Sequence, residues 1–182
     1  AAAYATWRRD YGGLAATRSV LRAVAAPEAR KRVGYLSPTR DALGRPVVVV
    51  VARRHSVSRR KLRSSQALCV DTLESAVEAL RDDDAASEGG GEQLLAVVDL
   101  RRVGADQVDL QFLLWLIGTL RGYYPKRLGQ VVLVDPPAAL FRAAWKLIEP
   151  SLGKHAKLVR VVTAAELRRH YFAPNALPPD LR

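Results

Sequence analysis

Three runs in this chain, RPVVVVVA (45–52), QLLAVVDL (93–100) and QVVLVDP (130–136), are apolar almost throughout. A strand with one wet face alternates apolar and polar residues. A run that does not alternate is covered on both faces, as in parallel sheets. KLVRVV (157–162) reads as a fourth strand, and the stretches at 66–81, 109–123, 138–149 and 164–170 have helical spacing. Strand–helix alternation of this kind is the α/β pattern, because each parallel pair needs a crossover. The opening AAAYATWRRDYGG reads as the end of a helix stopped at Gly12-Gly13. The next stretch, 14–33, is helical in period, with Leu14, Val20, Leu21 and Val24 on its apolar side. RDDDAASEGGGEQ (81–93) is acidic and Gly-rich and reads as a surface loop.

The 182 residues suit one domain large enough to bury a substantial core. A formal net charge of +11 predicts attraction to nucleic acid, anionic lipid or acidic partners without choosing among them. The single Cys69 excludes an internal disulfide and fits a reducing compartment. Met is absent even from position 1, so the expectation is a processed or trimmed chain whose targeting peptide is gone. No apolar stretch approaches the roughly 20 residues that cross a bilayer.

Catalysis on an open α/β sheet sits at the carboxyl ends of strands, which puts Asp99 and Asp135 forward. Neither has a nucleophile or base beside it, so strand terminator or helix cap is the favoured reading. His55, His155 and His170 lack metal spacing and an adjacent thiol. Ser56, Ser58, Ser64 and Ser65 show no nucleophile-elbow pattern. The glycines of EGGGEQ precede a strand and are flanked by acids, the reverse of a phosphate cradle. The basic stretch 52–63 has no interleaved aromatics for base stacking, and reads as a solvated face or a contact with an anionic surface. Neither a catalytic nor a metal centre emerges.

The helix at 110–121 carries Leu110, Phe112, Leu113, Leu114, Trp115, Leu116, Ile117 and Leu120 around nearly its whole circumference. Such a helix is enclosed on every side or lines an internal space. The helix after Asp135 repeats the pattern with Leu140, Phe141, Ala144, Trp145, Leu147 and Ile148. Periodicity leaves a packed core and a cavity equally open.

DALGRPVVVVVA, LLAVVDLRRVG, YYPKRLGQVVLVDPPAALFRAAWKLIEPSLGKHAKLVRVV and YFAPNALPPDL resemble, in that order, the landmarks of the CRAL-TRIO lipid-binding domain. Asp41 and Gly44-Arg45-Pro46 match the turn that opens the first strand; Asp99 and Gly104 match a strand-ending Asp-x-x-Gly less closely. Tyr123-Tyr124-Pro125-Lys126-Arg127 matches the Tyr-Tyr-Pro-x-Arg corner, and Leu177-Pro178 the terminal Leu-Pro. The resemblance implies an α/β fold: a mainly parallel sheet floor, helices enclosing an apolar lipid cavity, and a mobile gate helix. It divides the chain into a remnant of an N-terminal helical lobe (1–30) and the lipid-binding domain (31–182).

The resemblance further implies cavity residues Leu113, Leu116, Ile117, Leu120, Val131 and Leu133, with a gate of Leu140, Phe141, Ala144, Trp145, Leu147 and Ile148. It puts the headgroup end at Tyr124, Lys126, Arg127 and Lys157. Phosphatidylinositol-binding members carry Glu directly after Tyr-Tyr-Pro; Lys126 stands there instead, which suits a monoester phosphate such as phosphatidic acid. Lys157 and Arg160 alternate along one expected strand, so at most one faces the cavity, and Lys157 is the expected one. Arg53, Arg54, Arg59, Arg60 and Lys61 are expected to face the membrane. The implied protein is a monomeric, non-enzymatic carrier of an anionic phospholipid, phosphatidic acid or a phosphoinositide, with no cofactor beyond the lipid. It would make peripheral contact with anionic membranes and bind no nucleic acid. Order, spacing and tail look most like plastid members of plants and algae, implying chloroplast stroma and membrane surfaces, or else the cytoplasmic membrane periphery. The competing readings are a ligand-free protein-interaction scaffold on the same fold and a carrier of an isoprenoid such as a carotenoid or tocopherol.

Overall fold

A computed structural model describes residues 14–58, 61–84, 93–124 and 126–182, without the side chains of 14–17 and 81–84. The elements run α1 (Leu14–Arg30), β1 (Gly34–Leu36), β2 (Val47–Val51), α2 (Leu62–Asp84), β3 (Leu94–Asp99), α3 (Leu110–Tyr123), β4 (Leu128–Val134), α4 (Ala138–Leu152), β5 (Val159–Val162) and α5 (Ala164–Tyr171). The sheet order is β1-β2-β3-β4-β5, with β1 antiparallel to β2 and every other pair parallel. This is the expected α/β sheet with one short antiparallel strand added at the edge.

Consecutive strands are neighbours throughout, and parallel crossovers are right-handed, so α2, α3 and α4 all lie on one face. The opposite face is covered by α5 and the tail behind it. There Val47, Val49, Val51, Leu95, Val97, Val132 and Val134 have essentially no exposure, sealed by Leu167, Phe172, Leu177 and Leu181. On the helical face Val48 and Leu94 are buried under Leu73, Ala76, Val77 and Tyr124, while positions nearer β5 are not. One face of the sheet is closed and the other is closed only in part.

Several expectations need correction. The buried side of α1 is Leu21, Ala25 and Glu28, at helical spacing; Val20 is 62% exposed and Val24 41%. The Gly12-Gly13 stop and Leu14's side chain lie outside the described residues. The helix expected over 66–81 runs from Leu62 to Asp84, into what reads as loop, and α1 packs along it. The last strand begins at Val159, since the chain forms a 3-10 turn over Gly153–Leu158 first.

The tail is fastened by charge as well as by apolar packing. Asp99, at the carboxyl end of β3, is fully buried and accepts from Arg101 (Nε 2.8 Å, backbone N 3.0 Å) and from Arg53. Burial opposes its ionisation, but these hydrogen bonds outweigh it and hold the carboxyl below the ordinary range. Arg101 also donates to the carbonyl of Asp180 at 2.9 Å, and the Asp180 carboxylate accepts from Arg54 at 2.6 Å and from Arg32 at 3.3 Å. Asp180 is likewise held low, with burial opposed chiefly by the bond from Arg54. Asp99 thus ends β3, and Arg101 links it to the Asp180 carbonyl of the tail.

Cys69 faces the α2–sheet core, where burial pushes its thiol up to about 12. Asp99 contributes stability above the unfolded carboxylate range, and that contribution disappears as pH falls through its lowered folded value. Arg101→Met should therefore cost about 1–3 kcal/mol near pH 7, by leaving a buried acceptor short of donors. The difference from wild type should shrink in acid, once pH has fallen through the lowered folded value of Asp99 and the carboxyl is protonated in both proteins. Urea denaturation of both proteins at the two pH values measures this; an equal penalty at both would show that packing, not the ion pair, is lost.

Candidate functional site

The incompletely covered part of the sheet is apolar across four strands. Val50, Ala96, Val98, Val131, Leu133 and Val159 are half-buried, and Val161 is 52% exposed. The register places these side by side: Val50 pairs Val98, Val98 pairs Leu133, and Leu133 pairs Val161. Paired residues of a parallel sheet point to the same face. Val131 and Leu133 are among the expected cavity residues, whereas Val50, Ala96, Val98 and Val161 come from the register alone.

Over this floor stand α3 and α4, which pack against each other. Among the side chains of α3 only Thr119 is fully buried, and α4 has none. Leu113, Leu116 and Ile117 are half-buried, while Leu114 is 46% exposed. Leu120 is half-buried and packs against the α2–sheet core, as do Val50 and Ala96 of the floor. Helices of this composition normally bury a face outright. Here apolar floor and apolar helices face each other without sealing.

The two helices are held differently. Asp109 caps α3 by accepting from the Phe112 backbone at 2.9 Å, and His55 lies 3.3 Å from the other carboxylate oxygen. Its far end is tied to α4 by Arg121, which donates to the Ser151 carbonyl at 2.9 Å. α4 starts after Pro136-Pro137 with no side-chain cap. Near its other end stand Pro150, which cannot donate to the helix ladder, and Gly153 at φ 52°, a conformation that favours glycine. Along its half-buried side run Leu140, Phe141, Ala144, Trp145 and Ile148, with the Phe141 and Trp145 rings 5.5 Å apart. Leu147 does not join them: it is 59% exposed, on the outward side.

The expected headgroup residues separate. Tyr124 is buried in the core, and its hydroxyl donates to Glu74 at 2.8 Å across to α2. It braces α2 against the sheet and does not face an open space. Lys126 is exposed at φ 63°, and Arg127 is half-buried beside it. Lys157 is exposed in the 3-10 turn, and the β4–β5 register carries it to the same, amino-terminal end of the sheet as Arg127. Arg160 pairs with Val132 and so points to the α5 side.

The expected membrane-facing residues also divide. Arg53 is bound to Asp99 and Arg54 to Asp180, so both are structural cations. Lys61 is exposed and donates to Ser56 at 3.2 Å; Arg59 and Arg60 lie outside the described residues. Asp135 accepts from the Ala164 backbone at 3.1 Å, which makes it a cap for α5 rather than for the helix that follows it in sequence. A cleft of about 330 Å³ opens there, lined in part by Asp135, Phe141, Arg142, Val161 and Glu166. Among the described residues no group of three or more His, Cys, Asp or Glu side chains is placed to hold a metal, and no helix is long and apolar enough to cross a membrane.

Residues 30–180 match the CRAL/TRIO domain. The chain belongs to this family. The fold is also similar to the crystal structure of Sfh5, with a TM-score of 0.63 at 17% identity over 83% of this chain. The match covers 61% of the Sfh5 chain, so the CRAL/TRIO chain described here spans less than two thirds of that protein. The family match leaves α1 almost entirely ahead of it.

The placement of Tyr124 is directly testable. Tyr124→Phe removes one buried hydrogen bond to a carboxylate and should lower stability by about 1.5–3 kcal/mol while leaving any lipid preference unchanged. Thermal unfolding and a lipid competition on the same preparation check both halves. Altered preference with unchanged stability would return Tyr124 to the ligand.

Proposed function

We propose that this CRAL/TRIO chain binds one lipid molecule between the open part of its sheet and helices α3 and α4, and carries or presents it between membranes without covalent chemistry. The observation that carries this reading is the apolar floor Val50, Ala96, Val98, Val131, Leu133 and Val161 under two apolar helices that do not seal it. Each methylene exposed to water costs about 0.8 kcal/mol, so two acyl chains outside a bilayer cost on the order of 20 kcal/mol. An elongated apolar space offsets that cost; a charged or shallow one does not. Family membership supports the same conclusion. Native mass spectrometry of the purified protein, followed by solvent extraction, tests it. A bound lipid is expected, and a ligand-free chain would favour the interaction scaffold.

α4 is the door in this reading. It buries no residue fully, lacks a side-chain cap and is flanked by proline and glycine breaks. Trp145→Asp puts a charge on its inner side and should abolish transfer between vesicles while the fold persists. Unchanged transfer rates in a folded variant would remove α4 from the mechanism.

The headgroup end is assigned to Lys126, Arg127 and Lys157, at the amino-terminal ends of β4 and β5. Three cations with no carboxylate partner among the described residues suit an anionic phospholipid with an exposed phosphate, phosphatidic acid first and a phosphoinositide second. A guanidinium grips two phosphate oxygens at once, and the ammonium groups add point charges. In competition among phosphatidic acid, phosphatidylinositol and phosphatidylcholine, Lys126→Glu should weaken the first and leave the last nearly unchanged. Equal wild-type affinity for all three, or displacement by a carotenoid or tocopherol, would overturn the phosphate assignment. A plastid setting accompanies this proposal and is tested by localising the tagged protein.

A further inference from the structure

The end of β2 and the start of α3 meet through polar contacts that the apolar floor does not use. After β2 the chain makes a 3-10 turn over Ala52–Arg54, and His55 leaves that turn in extended conformation. Its Nε2 lies 3.3 Å from Asp109 Oδ2, and both side chains are largely withdrawn from water, at 12% and 10% exposure. Asp109 is also the cap of α3, for its other oxygen accepts from the Phe112 backbone at 2.9 Å. The imidazole centre is 5.8 Å from that of the Phe112 ring, which in turn is 5.6 Å from Trp115 one turn on. A second bond runs beside the first: Gln107, in the turn ahead of α3, donates to the Arg53 carbonyl at 3.0 Å. Arg53 is itself fixed on fully buried Asp99. Only Thr119 of α3 is fully buried, and it lies more than a turn beyond Trp115, so apolar packing alone does not fix the first turn.

We propose that His55 is a positioning residue for the α3 wall of the lipid site, and that its protonation tightens the first turn of α3 through Asp109. This role rests on the carrier reading and deepens it, because it makes lipid retention depend on pH. Imidazole is the side chain that ordinarily changes charge between about pH 5 and pH 8. A neutral His55 with its proton on Nε2 donates a hydrogen bond to Asp109. Protonation adds opposite charge to the same contact, and charge-assisted bonds are roughly twice as strong as neutral ones. Among the described residues Asp109 is the one carboxylate within ion-pair distance of the ring. The cations nearby oppose protonation: Lys31 of α1 reaches the Ser56 hydroxyl at 3.4 Å and Lys61, just ahead of α2, reaches it at 3.2 Å. Both stand at the next residue rather than at the ring, and Lys31 is already paired with Glu28 at 3.0 Å. Arg53 and Arg54 are bound to Asp99 and Asp180. The contact with Asp109 therefore decides the direction: as pH falls, α3 is held more firmly and lipid leaves more slowly.

The test compares the whole chain with His55→Gln, which keeps an N–H donor at similar reach but cannot titrate, and with His55→Ala, which removes the donor. His155 and His170 remain in all three, so the difference between chains at one pH isolates His55. The first readout needs no lipid: amide exchange at Phe112, whose N–H is held by Asp109. Wild type should exchange about threefold or more slowly than His55→Gln at about pH 5.5 and at nearly the same rate at about pH 8. His55→Ala should exchange faster than both at either pH. The second readout is release of a fluorescent phosphatidic acid from loaded protein to excess phosphatidylcholine vesicles, expected to be slower for wild type than for His55→Gln in acid alone. The same pH profile in wild type and His55→Gln, or wild-type protection of Phe112 in His55→Ala, would overturn the link; if His55→Ala does not fold, His55→Gln decides. Altered protection with unaltered release from lipid-loaded protein would overturn the positioning role. A chain that holds no lipid in native mass spectra defeats the carrier reading instead, and is told apart because Phe112 exchange is measured without cargo.

Discussion

The structure rests on the sealing of one sheet face by the chain's last residues. Leu167, Phe172, Leu177 and Leu181 cover seven side chains of β2, β3 and β4 so completely that almost no exposure remains. Full burial of residues of this size contributes about 1.5–3 kcal/mol each, an upper estimate because unfolded chains are partly compact. The Asp99 and Asp180 ion pairs then hold the tail in register at its end. With this face closed, the other need not be.

That division of labour explains how two very apolar helices remain poorly buried in a stable fold. Leaving half of a large apolar side chain uncovered forgoes roughly 1 kcal/mol. Several such residues on α3, α4 and the floor are tolerated because the tail face, together with α2 over Val48 and Leu94, supplies the core. Helices that stood clear of any apolar floor would be a surface defect. Facing one across β2–β5, they form the sides of the space in which the proposed lipid would lie.

Charge is divided as unevenly as burial. On the β1–β3 side, arginines connect strand ends, the first helix and the tail through carboxylates. A partly buried guanidinium is stable there because it keeps its charge and bonds in several directions at once. Around β5 the cations have no such partners among the described residues and remain on the surface. The net charge of +11 therefore describes the protein poorly: its effect depends on which cations are already neutralised.

The sequence by itself determined the α/β class, the three double-covered strands, and the family to which the residues from Asp41 to Pro178 point. Apolar periodicity and turn residues are local, and a double-covered strand announces itself by failing to alternate. Asp99 as a strand terminator was also readable, because a lone carboxylate with no nucleophile beside it has little catalytic use. The sequence could not show which strand positions share the open face. That depends on register between residues more than thirty apart, as in Val50, Val98 and Leu133. Nor could it show that Tyr124 turns inward to Glu74, that Arg53 and Arg54 belong to Asp99 and Asp180, or that Leu147 faces away from its neighbours on α4. Side-chain partners across a sheet are chosen by packing in three dimensions, so only the tertiary structure decides which cations are spent and which remain to meet a partner.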